Sequence, residues 1–263
     1  MRIRWALAVA VTIVIAIGIA VAIVATGTQT GSSTLCRQQT RSVAGGTYIV
    51  QSNEYNSRAP VCITTSGEAD FQVRNSSVSN ATDGLPGAYP SIYQGCHWGN
   101  CSSGRLAATP VPVPDLTTGT VTTTWSTTLS ASGSYYAAYD IWFNKTPTTT
   151  GQPDCTELMV WLDHNGPVQP FGTEIAAGVR VGGRSYDIWA GQRPSWDTIS
   201  YEMTAGVTSV SDLDVGSLAQ DAVSRGFLSS SCYLISVEAG FGLWHGGAGL
   251  ATHSFSVDIK AQQ

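Results

Sequence analysis

Charged residues are scarce in this sequence. Only 12% of the 263 residues are Asp, Glu, Lys or Arg, and the formal net charge is −5. Lys and Arg are scattered along the chain, whereas a surface that binds nucleic acid concentrates basic side chains, so we exclude nucleic acid as a partner. The hydrophobic content of 43% is enough for one sizeable core, which excludes a disordered chain. A composition rich in Ser, Thr and Gly is typical of a β-rich extracellular domain.

A metal-binding pattern is also missing. Cys96, His97 and Cys101 lie close together, but no second group of ligands accompanies them, so we predict neither a metal nor another cofactor. All of the cysteines follow residue 35: Cys36, Cys62, Cys96, Cys101, Cys155 and Cys232. An even number of cysteines on an exported chain indicates disulfides rather than free thiols, although the spacing leaves fifteen connectivities open.

No charge interrupts residues 5–26, which follow Arg2 and Arg4. This apolar stretch is long enough to cross a bilayer, and residues 20–22 also offer a cleavage site for a secretory signal. Both alternatives send the rest of the chain outward. We therefore predict residues 1–34 as a signal peptide or signal-anchor with a short tail, and residues 35–263 as one domain. The protein would be extracellular, either secreted or tethered to the outer face of the cytoplasmic membrane.

Short β-type runs separated by turn residues predict a sandwich or barrel. The predicted strands are residues 48–51, 61–64, 71–74, 121–129, 135–143, 172–180, 184–190, 196–203, 232–241 and 251–259. A single helix is predicted over residues 214–225, because apolar side chains recur there with helical spacing. Residues 243–250 are predicted to form a glycine-rich loop in which Trp244 and His245 are exposed.

Residues 156–169 contain the most informative strand. Glu157, Met159 and Trp161 alternate with aliphatic side chains, so one face belongs to a core and the other combines a carboxylate with a thioether and an indole. This second face suits a groove. The alternative is that Glu157 is an ordinary exposed carboxylate, since antiparallel sheets commonly expose one face to solvent.

Residues 135–143 form a second strand of the same kind. Tyr136, Asp140 and Trp142 share one face. If this strand pairs with the Glu157 strand, Asp140 approaches Glu157, and two such carboxyls imply a shared proton or a raised pKa. Two unrelated surface acids remain the alternative. Asn53 and Tyr55 also alternate, and the Tyr55 ring serves either packing or sugar binding.

Several separated motifs then occur in a fixed order. They are GCH at residues 95–97, YDIW at 139–142, ELMVW at 157–161, GPVQP at 166–170, AGF at 239–241 and GLA at 249–251. Together they resemble glycoside hydrolase family 12, the bacterial and fungal endoglucanases. The resemblance implies an all-β fold, an antiparallel β-sandwich of jelly-roll type with a concave cleft sheet and one docked helix. It also implies a monomeric, exported, retaining endo-β-1,4-glucanase that acts on β-glucan polysaccharide.

The resemblance also assigns roles to individual residues. Glu157 matches the nucleophile, and Asp140 matches the acid that tunes its ionisation. The expected substrate contacts are Asn53, Tyr55, Trp142, Met159 and Trp161, with Tyr55 where relatives usually carry tryptophan. Cys36–Cys62 and Cys96–Cys101 match the family's disulfides, and Cys155–Cys232 is the pair that remains.

One position departs from the family pattern. Relatives continue Ala-Gly-Phe with the glutamate that serves as general acid/base, but here Gly242 follows Phe241. Losing such an acid commonly costs a factor of about 10²–10⁴ in rate. Glu238 and His245 are the candidate substitutes, although Glu238 lies roughly 13 Å along the strand from residue 242. Without a substitute, the chain would bind glucan at the cell surface without turning it over, or serve an unrelated role. We predict that Gly242→Glu raises activity at least tenfold.

Overall fold

A computed structural model of the protein describes residues 31–130 and 132–260. The predicted signal or anchor segment lies outside this range. In chain order the strands are β1 (Ser33–Cys36), β2 (Thr40–Val43), β3 (Tyr48–Gln51), β4 (Val61–Thr65), β5 (Phe71–Ser76), β6 (Ser91–His97), β7 (Asn100–Cys101), β8 (Val111–Pro112), β9 (Val121–Thr128), β10 (Ser134–Asn144), β11 (Thr156–Asn165), β12 (Thr173–Val181), β13 (Arg184–Gln192), β14 (Asp197–Met203), β15 (Ser209–Asp214), β16 (Tyr233–His245) and β17 (Ala251–Ile259). The helices are α1 (Arg105–Ala108) and α2 (Val215–Ser224), and short 3₁₀ turns cover Ala44–Gly46 and Val113–Asp115.

These strands form two layers. One sheet has the order β1-β4-β5-β17-β9-β15, and the larger sheet has the order β12-β13-β14-β11-β10-β16-β6-β3-β2. The apolar faces of the two sheets pack against each other, because exposing either face to water would be unfavourable in free energy. Trp125 of the first sheet contacts Tyr139 and Phe241 of the second, with ring centroids 5.3 and 5.6 Å away. The predicted all-β jelly-roll sandwich is confirmed.

Strand β10 lies at the centre of the larger sheet, between β11 and β16. Its register sets Trp142 opposite Glu157 and Asp140 opposite Met159, so the two informative strands do pair. On its other side, β10 sets Asp140 opposite Glu238. Paired residues of an antiparallel ladder point to the same face, so these carboxyl side chains all lie on the face away from the core.

The larger sheet is not wholly antiparallel. Strand β14 runs parallel to β11, with Glu157 beside Thr198. Parallel neighbours need a crossover connection, and here the β12–β13 hairpin supplies it. The hairpin itself was predicted across Gly182 and Gly183, and both of these residues adopt positive φ in the turn.

Helix α2 begins after Asp214, whose side chain accepts a hydrogen bond from the backbone N–H of Ser217 at 3.2 Å. It ends before Gly226, which has φ +80°. Its buried face packs near β9 and β12, beside the sandwich. The predicted helix is confirmed.

The predicted loop at residues 243–250 is wrong at its start. Strand β16 continues to His245, because its backbone still has partners there: the N–H of Leu243 donates to the carbonyl of Ala88 at 2.9 Å. Trp244 is therefore 4% exposed rather than solvated. Strand β6 was not predicted, since it is buried almost throughout and lacks the alternation that marks a half-exposed strand.

Three disulfides close the described region: Cys36–Cys62, Cys96–Cys101 and Cys155–Cys232. All three expected pairs are confirmed. Between residues 31 and 260, no described helix has both the length and the apolar character needed to cross a bilayer.

Candidate active site

Glu157 lies on the open face of the larger sheet, 8% exposed. Its Oε2 accepts hydrogen bonds from Trp196 Nε1 at 3.0 Å and from Thr198 Oγ1 at 2.8 Å. The guanidinium of Arg193 forms an ion pair with the same oxygen, with Nε at 3.6 Å. Two hydrogen bonds and one ion pair to the same oxygen hold the Glu157 carboxyl group in one orientation.

Asp140 is buried beside Glu157 and Glu238, and its Oδ1 has no hydrogen-bond partner among the described residues. Burial raises the pKa of Asp140 well above its ordinary value, and the negative charges of Glu157 and Glu238 raise it further. The raised pKa means that the charged form of Asp140 is disfavoured in this position.

The open face of the sheet contains two adjoining cavities of about 630 and 720 Å³. Tyr55, Tyr136, Glu157 and Arg193 line both of them, so the two cavities meet at Glu157. Together they form what we call the cleft. Its size suits a ligand of several sugar rings.

Aromatic side chains form one wall of the cleft. Trp142 lies between Trp98 and Trp196, with ring centroids 5.1 and 5.4 Å away. Trp98 is 43% exposed and Tyr55 49% exposed, so their faces are open to a ligand. Flat apolar rings of this kind can stack on sugar faces.

The predicted substrate contacts all line the cleft. Asn53 and Trp142 line the larger cavity, Met159 and Trp161 line the smaller one, and Tyr55 lies where they meet. Trp161 is only 2% exposed because the ring of Tyr136 stacks on it, with centroids 4.2 Å apart. The structure therefore brings these side chains together around Glu157, and their contacts with a sugar stay predictions.

The two predicted substitutes for the acid/base lie elsewhere. Glu238 is fully buried beneath the cleft: its Oε1 accepts from Gln51 and Ser91, and its Oε2 contacts His97 Nδ1 at 3.0 Å. A carboxylate occupied in this way cannot reach a glycosidic oxygen. His245 is exposed at the end of β16 and is absent from the described residues that line the cleft. The geometry favours neither residue as a proton donor.

Gly242 lies opposite Tyr136 in the β10–β16 ladder. A Cβ atom on residue 242 would stand 2.2 Å from both Cε1 and Cζ of Tyr136. No side chain tolerates contacts that short, so the ring of Tyr136 occupies the space into which a side chain at position 242 would grow. The glycine and the tyrosine are thus sterically linked.

Two indole N–H donors of the cleft lack an acceptor. They are Trp142 Nε1 and Trp161 Nε1, both buried and without a hydrogen-bond partner in the described part of the chain. An unpaired buried donor is costly, and a ligand rich in oxygen atoms would satisfy it. This donor set is suited to a carbohydrate.

The groups that hold Glu157 were not predicted from the sequence. Arg193, Trp196 and Thr198 reach it only because β14 runs parallel to β11, a long-range pairing with no local signal. Trp98 had a weak signal, since it follows Cys96 and His97 in an aromatic stretch. Tyr136 was placed on the correct face, but its contact with Gly242 depends on a register that the sequence does not reveal.

Comparisons with known proteins agree with this geometry. The sequence model of Glycosyl hydrolase family 12 matches residues 46–260. A metagenome-derived glycoside hydrolase family 12 endoglucanase superposes with a TM-score of 0.81 at 38% identity, covering 88% of this chain and 99% of that one. Endoglucanase Cel12A of Rhodothermus marinus gives 0.80 at 38% identity over 87% and 99% of the two chains. Endoglucanase S of Pectobacterium parmentieri is 29% identical over 180 residues, 66% of each sequence.

Proposed function

Because the chain belongs to glycosyl hydrolase family 12, we propose that it binds β-1,4-glucan in the cleft and hydrolyses it slowly, with retention, using Glu157 as the nucleophile. The observation that carries this proposal is the environment of Glu157. Its Oε2 is held by Trp196, Thr198 and Arg193, which leaves Oε1 to attack the anomeric carbon of a sugar.

Asp140 supports the same step. As a protonated acid next to a carboxylate, it can give a hydrogen bond that steadies Glu157 and limits its charge. A nucleophile must also leave when the glycosyl-enzyme is hydrolysed, so a modest restraint on its basicity helps the second half of the reaction.

Turnover is slow in this proposal because Gly242 supplies no carboxyl. Retaining glycosidases place two carboxyl groups about 5–5.5 Å apart, the second one donating a proton to the leaving oxygen. Here the other carboxyls near Glu157 are Asp140, which is mostly buried in the cleft floor, and Glu238, which is fully buried beneath it. The rate of bond cleavage should therefore fall well below that of a fully equipped relative.

A glucan-binding surface module is the second candidate. The contact between Tyr136 and Gly242 favours it, because it fills the place of the second carboxyl with a ring. The three disulfides are consistent with an exported protein, in either case. Export by residues 1–34 belongs to this proposal.

The test is to assay the purified protein on carboxymethyl-cellulose, mixed-linkage β-glucan and xyloglucan, with reducing ends and calorimetric binding measured in parallel. Glu157→Gln is the key variant, and Glu174→Gln, an exposed carboxylate on β12 outside the cleft, is its matched control. The proposal expects binding by all three proteins and hydrolysis by the native protein and the control. Binding with no hydrolysis by any of them supports the surface module. Absence of binding contradicts both candidates.

A further inference from the structure

Tyr136 is a second titratable side chain in the cleft near Glu157. It is the titratable side chain that stands where residue 242 would project, with its Cζ atom 2.2 Å from the Cβ position of that residue. The phenolic oxygen is bonded to this Cζ, so it also lies close to that Cβ position. Tyr136 also lines both cavities, as Glu157 does.

We propose that the hydroxyl of Tyr136 is the proton donor of the cleft, replacing the carboxyl that Gly242 cannot provide. This inference rests on the proposed function, because it assumes attack by Glu157. The glycine is then a requirement rather than a simple loss. Any larger residue at position 242 would displace the ring that carries the donor.

The position of the ring is well supported. It stacks on Trp161 with an interplanar angle of 27° and meets Trp244 edge-on, with centroids 5.6 Å apart. Tyr89 lies on a further side, with its ring 6.1 Å from that of Tyr136, and its own hydroxyl donates to the carbonyl of Ala138 at 2.8 Å. A donor held on several sides needs little reorganisation during the reaction.

The proposed reaction has two steps. In the first, Glu157 forms a bond to the anomeric carbon, the bond from that carbon to the glycosidic oxygen breaks, and the oxygen takes the proton of Tyr136. In the second, water attacks the anomeric carbon and gives its proton to the Tyr136 phenolate, while Glu157 departs. The enzyme is restored and one glycosidic bond has been hydrolysed.

The electrostatic surroundings keep this donor protonated. Burial raises the pKa of Tyr136 well above its ordinary value, and the neighbouring acidic groups Tyr55, Asp140 and Glu157 raise it further, while Arg193 lowers it. His164 lies opposite Tyr136 on β11, and its Nδ1 contacts Glu202 Oε1 at 3.1 Å. The raised pKa makes this phenol a much weaker acid than a carboxylic acid, so the proposal requires slow turnover.

The decisive variant is Tyr136→Phe, which removes the hydroxyl and keeps the stacked ring. Tyr139→Phe is the matched control, because Tyr139 is on the same strand but faces the core. Each protein is given cellohexaose, whose leaving group needs a proton, and 2,4-dinitrophenyl β-cellobioside, whose leaving group does not.

We expect Tyr136→Phe to lose a factor of about 10² in kcat on cellohexaose while its initial burst of dinitrophenolate stays within about threefold of native. Its Tm and cellohexaose Kd should match those of the control, which separates chemistry from folding. Equal kcat for Tyr136→Phe and native protein on cellohexaose would overturn the assignment.

Failure of the Tyr136 assignment and failure of the proposed function give different results in this experiment. If the native protein gives a burst with the aryl substrate but does not cleave cellohexaose, Glu157 acts as proposed and Tyr136 is not a donor. If there is neither a burst nor glucan binding, the proposed function itself fails. A second readout is pH: the native rate on cellohexaose should persist from pH 7 to pH 9, and a fall over this interval would argue against a phenolic donor.

Discussion

Two regions of the cleft floor, one around Glu157 and one around Gly242, differ in the functional groups that they retain. Around Glu157, three donors from the β13–β14 side hold one carboxylate oxygen, and a buried acid lies alongside. Around Gly242, the expected carboxyl is missing and a tyrosine ring fills its space. The two regions share β10, which carries Asp140 toward the first and Tyr136 toward the second. The region proposed for nucleophilic attack therefore keeps its supporting groups, whereas the region proposed for proton transfer has a tyrosine ring in place of the expected carboxyl.

The largest effect is expected from replacing Glu157. Glu157→Gln keeps an oxygen that can accept from Trp196 and Thr198 but removes the nucleophile, so hydrolysis should fall by a factor on the order of 10⁴ or to background. Calorimetry with cellohexaose should give a Kd within about threefold of native, because the aromatic wall is untouched. Turnover near the native rate would mean that Glu157 is not the nucleophile.

The Gly242 region should respond only to a paired change. A side chain at residue 242 collides with the Tyr136 ring, so Gly242→Glu alone should lower Tm and gain no activity, contrary to the simple reversion expected from the sequence. Gly242→Glu combined with Tyr136→Ala makes room for the new carboxyl. Its kcat on cellohexaose should exceed that of Tyr136→Ala by at least about tenfold.

The paired variant also sharpens the distinction between phenol and carboxyl as donors. Its activity should decline between pH 7 and pH 9 as the introduced carboxyl ionises, whereas that of the native protein should not. A tenfold gain from Gly242→Glu alone would show that the ring gives way easily, and the steric link between the two positions would then be wrong.

A smaller effect is expected from changing a group that holds Glu157. Thr198→Val removes one hydrogen bond to Glu157 without changing shape, so the carboxyl group is held less firmly for attack and the burst rate with the aryl substrate should fall about tenfold. Ser200→Ala is the control, since Ser200 is equally buried on β14 and its hydroxyl has no partner in the described residues. A similar fall in both variants would indicate a packing defect rather than the loss of a donor.

The two regions also differ in how far they could be predicted. Alternation alone placed Asp140 and Trp142 on one face of their strand and set the face of Glu157 on the other strand, because period two is a local property of a strand. Arg193 and Thr198 were not assigned to the site, since the parallel pairing that brings them there spans the whole β12–β13 hairpin. Local patterns reveal faces, whereas contacts across a sheet require the register.

The same limit applies around Gly242. The missing carboxyl is visible in the sequence, but the ring that fills its place is not, because Tyr136 lies over 100 residues away along the chain. Trp244 was misplaced for a related reason: the glycines after it indicate a loop, yet the ladder with β10 extends the strand beyond Leu243. In both cases a tertiary contact overrides the local signal.

The smallest effect concerns Asp140, the buried acid beside Glu157. Burial raises the pKa of Asp140 above its unfolded value, so the folded protein holds this proton more tightly, and the stability it contributes is lost as pH rises through the folded pKa. Asp140→Asn keeps the size without the titration. Its Tm relative to native should therefore increase from pH 4 to pH 8, by about 3–5 °C for each unit of pKa shift. A difference that stays constant or shrinks with rising pH would show that Asp140 ionises freely, and Glu157 would then lack a protonated neighbour.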